Sequence, residues 1–234
     1  MTNRTLTGVL GGTFDPLHQG HLDVANAARQ ILSLDKILLV PSCIPPHRFT
    51  KPKVSAHHRS TMVALAALND KHLRVSDLEL KTAGPSYTSL TIDRLHQEGY
   101  GRFELFFIVG VDAFLDIASW KGYPKILEQC QFVVISRPGH QLNEITTRFP
   151  ELSDKIRWIN PESNLSGTHE TVPPKASTKT TSIFIIETPT TDVSSTEIRR
   201  RLTTGKSISG LVPDEVAAYI HRHGLYLERP TVQG

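Results

Sequence analysis

The chain is 234 residues long, which suits one large domain or two small ones, and its 38% hydrophobic and 21% charged residues suit a globular protein with a substantial core. A formal charge of +3 with no dense Lys/Arg block suits an anionic ligand and argues against a nucleic-acid partner. The two cysteines, Cys43 and Cys130, form no CxxC pair and no cluster with histidine at zinc spacing, which argues against a disulfide framework or structural metal and fits a reducing compartment.

Taken in chain order, "MTNRTLTGVLGG" lacks an apolar region long enough for a signal peptide. No run anywhere approaches the ~18 apolar residues of a membrane span. The chain is therefore expected to be soluble and cytoplasmic, with no membrane partner. "TGVLGG" reads as a first strand ending in glycines, and "HLDVANAARQILSL" follows with Leu22, Ala25, Ala28, Ile31 and Leu32 spaced for one helix face. "KILLVP" is a second strand, "AHHRSTMVALAAL" a helix, and "HLRVSDLEL" extended. "SLTIDRLHQEG" is a helix with a glycine stop at Gly99. "FELFFIVG" is nearly continuous in apolar residues, as a central parallel strand buried on both faces should be. "PKILEQC" then "QFVVISRPG" repeats helix and strand, the polar stretch 160–181 reads as a long mobile loop, and "TTSIFIIETP" supplies a last strand. Strands alternating with helices predict an α/β fold: a doubly wound, Rossmann-like parallel sheet with helices on both faces. One domain is expected over 1–234, with its core at about 6–227. In such a sheet ligands bind outside the carboxyl ends of the strands. The unusual loops, Gly11–His21, Pro41–Arg48, Gly110–Asp112 and Arg137–Gly139, all follow strands.

In "GGTFDPLHQGH", Gly11 and Gly12 let the chain turn sharply and let a phosphate approach the backbone without a Cβ in the way. His18 and His21 are three apart at a helix start, where free N–H groups and the dipole attract anions. Two imidazoles there can donate to a phosphoryl oxygen that gains charge in a transition state. The plain alternative is a pair of solvent histidines. In "TDVSSTEIRRRL", Ser194 and Glu197 have capping-box spacing and Val193 and Ile198 that of a hydrophobic staple, so a second helix starts just past a strand. Ser195, Thr196 and Arg199 stand ready there for phosphate oxygens; the alternative is a well-capped helix with a basic outer face.

Asp112 follows the central strand, where a carboxylate suits ribose hydroxyls. Trp120 can stack on a flat ring or fill core, Tyr87 and Thr88 begin a helix, and His47 and Arg48 follow two prolines. "TTGKS" is not a phosphate-binding P-loop, because position 200 is Arg and the stretch follows a helix. His57 and His58 lack metal-ligand spacing and are expected to face solvent.

Together these pieces resemble one family. "GGTFDPLHQGH" resembles the signature of the nucleotidyltransferases with an HxGH motif, and "SSTEIRRRL" their distal motif. "VPSCIPPHR", "GPSYTSLTI", "VGVDAFLDIASW" and "ISRPG", with the terminal "YIHRHGLYL", narrow the resemblance to bacterial nicotinate-nucleotide adenylyltransferases over about residues 8–227. The resemblance implies in-line transfer of an adenylyl group from ATP, accompanied by Mg²⁺, to nicotinate mononucleotide, with positioning and charge stabilisation carrying the chemistry. It implies catalytic roles for His18, His21 and Arg199. ATP would meet Gly11, Gly12, Thr13, Phe14, Gly110, Asp112, Ser195 and Thr196 besides these. Nicotinate mononucleotide would meet Asp15, Ser42, Arg48, Tyr87, Thr88, Trp120 and Arg137.

Three positions depart from the family's pattern. Lys121 stands where many relatives carry tyrosine after the tryptophan, Val193 replaces isoleucine, and Arg48 stands where lysine is common. Nicotinamide mononucleotide is the rival acceptor, and pantetheine-phosphate adenylyltransferases share the HxGH signature. A catalytically silent nucleotide-binding regulator and a nucleic-acid module are the readings of other classes. The sequence leaves a homo-oligomer open.

Overall fold

The computed structural model describes residues 5–46, 51–82, 84–136, 143–159 and 180–227. Seven strands form one parallel sheet: β1 (Thr7–Gly12), β2 (Lys36–Pro41), β3 (Leu73–Val75), β4 (Leu105–Gly110), β5 (Gln131–Ser136), β6 (Ile156–Ile159) and β7 (Ile183–Glu187), in the order β3-β2-β1-β4-β5-β7-β6. The chain runs outward from β1 to β3, then restarts at β4 on the other side of β1. The sheet is therefore doubly wound, with its switch point between β1 and β4.

The strands are buried on both faces because their side chains alternate between two cores. Leu105, Phe107 and Val109 of β4 point into one with Phe132 and Val134; Phe106 and Ile108 point into the other with Val133 and Ile135. Helix α1 (Gln19–Ile31) buries Leu22, Ala25 and Ala28 in the second core, where α2 (Ala56–Ala67) adds Val63. Helix α3 (Thr88–Gln97) buries Ile92 and Leu95 in the first, with Phe114 of the short α4 (Val111–Leu115) and Ile145 of α5 (Asn143–Arg148). A third cluster joins Met62 of α2 to Ile198 and Leu202 of α6 (Ser195–Thr203) and Val216 and Ile220 of α7 (Asp214–Arg222). Among the described residues no helix is long and apolar enough to cross a membrane.

The expected elements stand with four differences. Only Leu73–Val75 of "HLRVSDLEL" is strand, because the chain then turns, with Leu80 N–H on the Asp77 carbonyl at 2.9 Å. "PKILEQC" makes one 3₁₀ turn, Lys125–Glu128, not an α-helix. The edge strand β6 has no counterpart in the sequence reading: four residues with two exposed leave too short a pattern, and the interior β7 enters between it and β5. His57 is exposed, but His58 is half-buried, its Nδ1 2.9 Å from the Tyr219 hydroxyl. The glycine stop at Gly99 is present at φ +96°, left-handed backbone that closes α3. Most of the 160–181 loop lies outside the described residues.

Candidate active site

The loop after β1 is shaped from beneath. A Cβ on Gly12 would stand 2.9 Å from Cε1 of Phe14, so the glycine is what lets that ring fold under the strand end. Phe14 itself is buried at φ +49°, a left-handed conformation few non-glycine residues hold. Its ring meets His21 edge-on at 5.0 Å. The Ser42 N–H donates to the Gly12 carbonyl (2.8 Å), joining the ends of β1 and β2. Arg59, reaching in from α2 and 1% exposed, donates to the carbonyls of Thr13 (2.6 Å), Ser42 (2.7 Å) and Cys43 (3.1 Å). One buried guanidinium thus fixes the two loops that follow the first two strands, by charge-assisted bonds.

His18 is the N-cap of α1 and His21 its third residue. Their rings stack at 3.6 Å, 26° apart. The His18 N–H donates to His21 Nδ1 (3.2 Å), which makes Nδ1 an acceptor and leaves the proton of a neutral ring on Nε2. Gly20 lies between the His18 ring and the connection after β7: a Cβ there would come within 3.1 Å of the Thr191 carbonyl oxygen and 3.3 Å of His18 Nδ1. Asp23 ties the same helix to that connection, accepting from the Thr191 N–H (2.8 Å) and hydroxyl (2.6 Å) and from Gln19 Nε2 (3.0 Å). Burial pushes the Asp23 pKa up, but the Thr191 and Gln19 bonds outweigh it and hold the carboxyl below its ordinary 3.8.

At α6 the Ser194 hydroxyl accepts from the Glu197 N–H (3.1 Å), as the capping spacing predicts. The Glu197 carboxylate turns instead to Arg200 and Arg201, whose hydrogen bonds take its pKa down to about 2. The Ser195 hydroxyl donates to the Pro16 carbonyl (2.9 Å), stitching α6 to the β1–α1 loop. Arg199 Nη1 donates to the Asp15 carbonyl (2.6 Å) and Nη2 to the Thr196 hydroxyl (3.1 Å). Asp15 is buried, and its carboxylate accepts from the Lys53 N–H (2.7 Å) and the Tyr226 hydroxyl (2.9 Å).

These parts surround a cavity of about 590 Å³ at the switch point. Gly11 and Gly12 line it from the end of β1, Thr13 from the loop beyond, His18 and His21 from the start of α1, and Ser195 and Thr196 from α6. Gly110 lines it after β4, Ser42 after β2, Tyr87 and Thr88 at the start of α3, and Trp120 beyond α4. Trp120 packs edge-on against Phe107 (6.2 Å, 89°) and also lines the cavity. Four expected ligand residues do not line it. Phe14 and Asp15 lie behind the loop they shape, Arg199 is turned onto Asp15, and Asp112 is exposed on the first turn of α4. Arg48 and Arg137 lie outside the described residues.

Sequence reasoning passed over Arg59, Asp23 and Glu79. Glu79 lines the cavity, 6% exposed, and accepts from the Thr91 hydroxyl (2.6 Å). Burial pushes its pKa up against the opposing bonds of Ser86 and Thr91. The one signal for Arg59 was its place three and four residues before Met62 and Val63, on the buried face of α2. Glu79 and Asp23 left no such mark.

The chain matches the cytidylyltransferase-like family over residues 9–201. It is 37% identical over 227 residues to a Moorella thermoacetica protein named "Probable nicotinate-nucleotide adenylyltransferase", covering 97% of this chain and 93% of that one. It is 40% identical to a Pseudomonas syringae pv. tomato protein of the same name, covering 94% and 92%. Among solved structures, the Plasmodium falciparum nicotinic acid mononucleotide adenylyltransferase complexed with NaAD superposes with a TM-score of 0.66 at 20% identity, covering 95% and 97% of the two chains. At that identity the likeness speaks for the fold.

Proposed function

The chain belongs to the cytidylyltransferase-like family and, within it, to the nicotinate-nucleotide adenylyltransferases, and on that premise we propose that it transfers the adenylyl group of ATP to nicotinate mononucleotide, giving deamido-NAD and pyrophosphate in NAD biosynthesis. An oxygen of the mononucleotide phosphate attacks the α-phosphorus. The bond from that phosphorus to the oxygen bridging to the β-phosphorus breaks in line, and pyrophosphate leaves with the bonding pair. No covalent enzyme intermediate is formed.

One observation carries this reading: two helix starts, at His18–His21 and at Ser194–Thr196, converge on one cavity at the sheet's switch point. The phosphates belong there. His18 and His21 stabilise the charge that develops on them, with His21 donating from Nε2 because Nδ1 already accepts the His18 N–H. Thr13, Ser195 and Thr196 add hydroxyls and N–H groups on the same side. Arg199, one turn from Thr196 and held on the Thr196 hydroxyl and the Asp15 carbonyl, is assigned to the leaving phosphates. Gly110 and Asp112 take the adenosine side. Ser42, Tyr87, Thr88 and Trp120 take the acceptor, where the aromatic rings suit a flat pyridine; among the described residues the buried Ser42 hydroxyl has no hydrogen-bond partner. Arg48 and Arg137 are assigned to the acceptor as phosphate cations. Mg²⁺ is assigned to the triphosphate, whose oxygens are the hard donors it prefers. When bound, Mg²⁺ neutralises charge on the phosphates. The chain is read as one nucleotidyltransferase domain working in the cytoplasm, consistent with free thiols at Cys43 and Cys130.

The deciding experiment is pyrophosphate release from Mg·ATP with nicotinate mononucleotide, nicotinamide mononucleotide and phosphopantetheine offered separately. Strong release with the first supports the reading. Release with phosphopantetheine alone moves the chain to another branch of the HxGH enzymes, and release with none makes it a silent binding protein.

A further inference from the structure

The acceptor half of the cavity carries two ionisable side chains in its wall, and they are built differently. Glu79 is buried and held by Thr91. Lys121 is exposed, and its Nζ stands over the Tyr87 ring, 4.7 Å from the centroid. Its backbone is fixed there. Gly122 turns at φ +93° and packs on Ser89 of α3, where a Cβ would come within 3.3 Å of the serine Cβ. The Tyr123 N–H closes the turn on the Trp120 carbonyl (3.1 Å). Among the described residues Lys121 forms no ion pair with a carboxylate. A neutral ring holds an ammonium without cancelling its charge, so Lys121 brings a whole positive charge to a wall whose other parts are aromatic rings, hydroxyls and the Glu79 carboxyl held by Thr91.

Resting on the function proposed above, we infer that Lys121 sets the acceptor specificity: its ammonium, held over Tyr87, favours a pyridine ring bearing a carboxylate over the same ring bearing an amide. Both acceptors carry the same phosphate, so a cation that met only the phosphate would serve them equally. A cation beside the ring substituent separates them, because only the acid offers a negative charge there.

The test measures kcat/KM for nicotinate mononucleotide and nicotinamide mononucleotide in the wild-type chain, Lys121→Met, Lys121→Arg and Lys121→Glu. Because ion pairs at exposed sites are weak and screened, the acid-to-amide ratio is expected to fall about two- to fivefold in Lys121→Met. Lys121→Arg keeps the ratio near the wild-type value, Lys121→Glu lowers it further, and added salt shrinks the difference. An equal loss on both acceptors overturns the inference in favour of a phosphate or structural contact, and an unmoved ratio overturns it outright. A wild-type chain that turns over neither acceptor overturns the proposed function and this inference with it; turnover of the acid with an unmoved ratio overturns the inference alone.

Discussion

The two halves of the cavity are built on different plans. The phosphate half rests on the starts of α1 and α6 and is braced by polar groups that do not line the cavity: the buried Arg59 on three carbonyls, the half-buried Asp23 on Thr191, and the buried Asp15 on Tyr226 and Lys53. The acceptor half is walled by side chains that line the cavity directly, Tyr87, Trp120 and Lys121, with Glu79 held beside them by Thr91. Preorganised donors are useful only if their geometry is fixed before the charge appears, which is why one half invests in bracing. On the function proposed above, the other half has to tell one flat ring from another, and side chains that line the cavity, the half-buried Tyr87 and Trp120 and the exposed Lys121, can do that. Damage to the first should therefore appear in stability and turnover, and damage to the second in selectivity.

The largest effect is expected at the brace. Arg59→Met leaves the carbonyls of Thr13, Ser42 and Cys43 without their buried donor and should cost about 3 kcal/mol, read as a lowered urea midpoint at unchanged slope. A loss under about 1 kcal/mol would mean that the two loops hold each other without it. His21→Ala is next: the fold should survive while turnover falls about 10²- to 10³-fold, as when one transition-state donor is removed. Near-normal turnover would show that the phosphates are stabilised from α6 instead. Gly12→Ala drives a Cβ to 2.9 Å from the Phe14 ring, which is buried against His21. About 1–2 kcal/mol of stability should go, with a drop in turnover that follows the displaced imidazole.

Much of the phosphate half is legible in the sequence because its signals are local. The paired glycines, the two histidines three apart and the Ser194–Glu197 spacing each lie within one turn of chain; the first ends β1 and the other two mark real helix starts, though only the Ser194 half of the capping box forms. The braces are illegible because their partners are remote: Thr191 lies 168 residues beyond Asp23, and Arg59 reaches the Thr13 carbonyl across 46. No periodicity records such a pair. Phe14 and Asp15 belong to a motif that reads as ligand-binding throughout, yet two of its residues serve to shape the loop from beneath. The same holds for the sheet, where long apolar runs announce β4 and β5 while β6, four residues at an edge, leaves no pattern.

The smallest effects sharpen the comparison by sign. Asp23 is held below its ordinary pKa, so its bonds stabilise the fold fully above about pH 4, and that contribution is lost as pH falls through the lowered folded value. Glu79 is held above its ordinary 4.5, so its ionised form carries a penalty at neutral pH that disappears on acidification toward that value. Asp23→Asn should therefore lose about 1 kcal/mol at pH 7, with the deficit closing as the wild-type carboxyl is protonated. Glu79→Gln should move the other way, its stability relative to the wild type rising as the pH is raised from 4 to 7. Urea midpoints of the three proteins from about pH 2.5 to 7 decide it, Asp23→Asn being read below about pH 4 and Glu79→Gln above it. Opposite slopes would show that the phosphate half is tied by a carboxylate that has to stay charged, while the acceptor half tolerates one that prefers its proton. Parallel slopes would place both carboxyls in the same electrostatic environment and remove the distinction between the two halves.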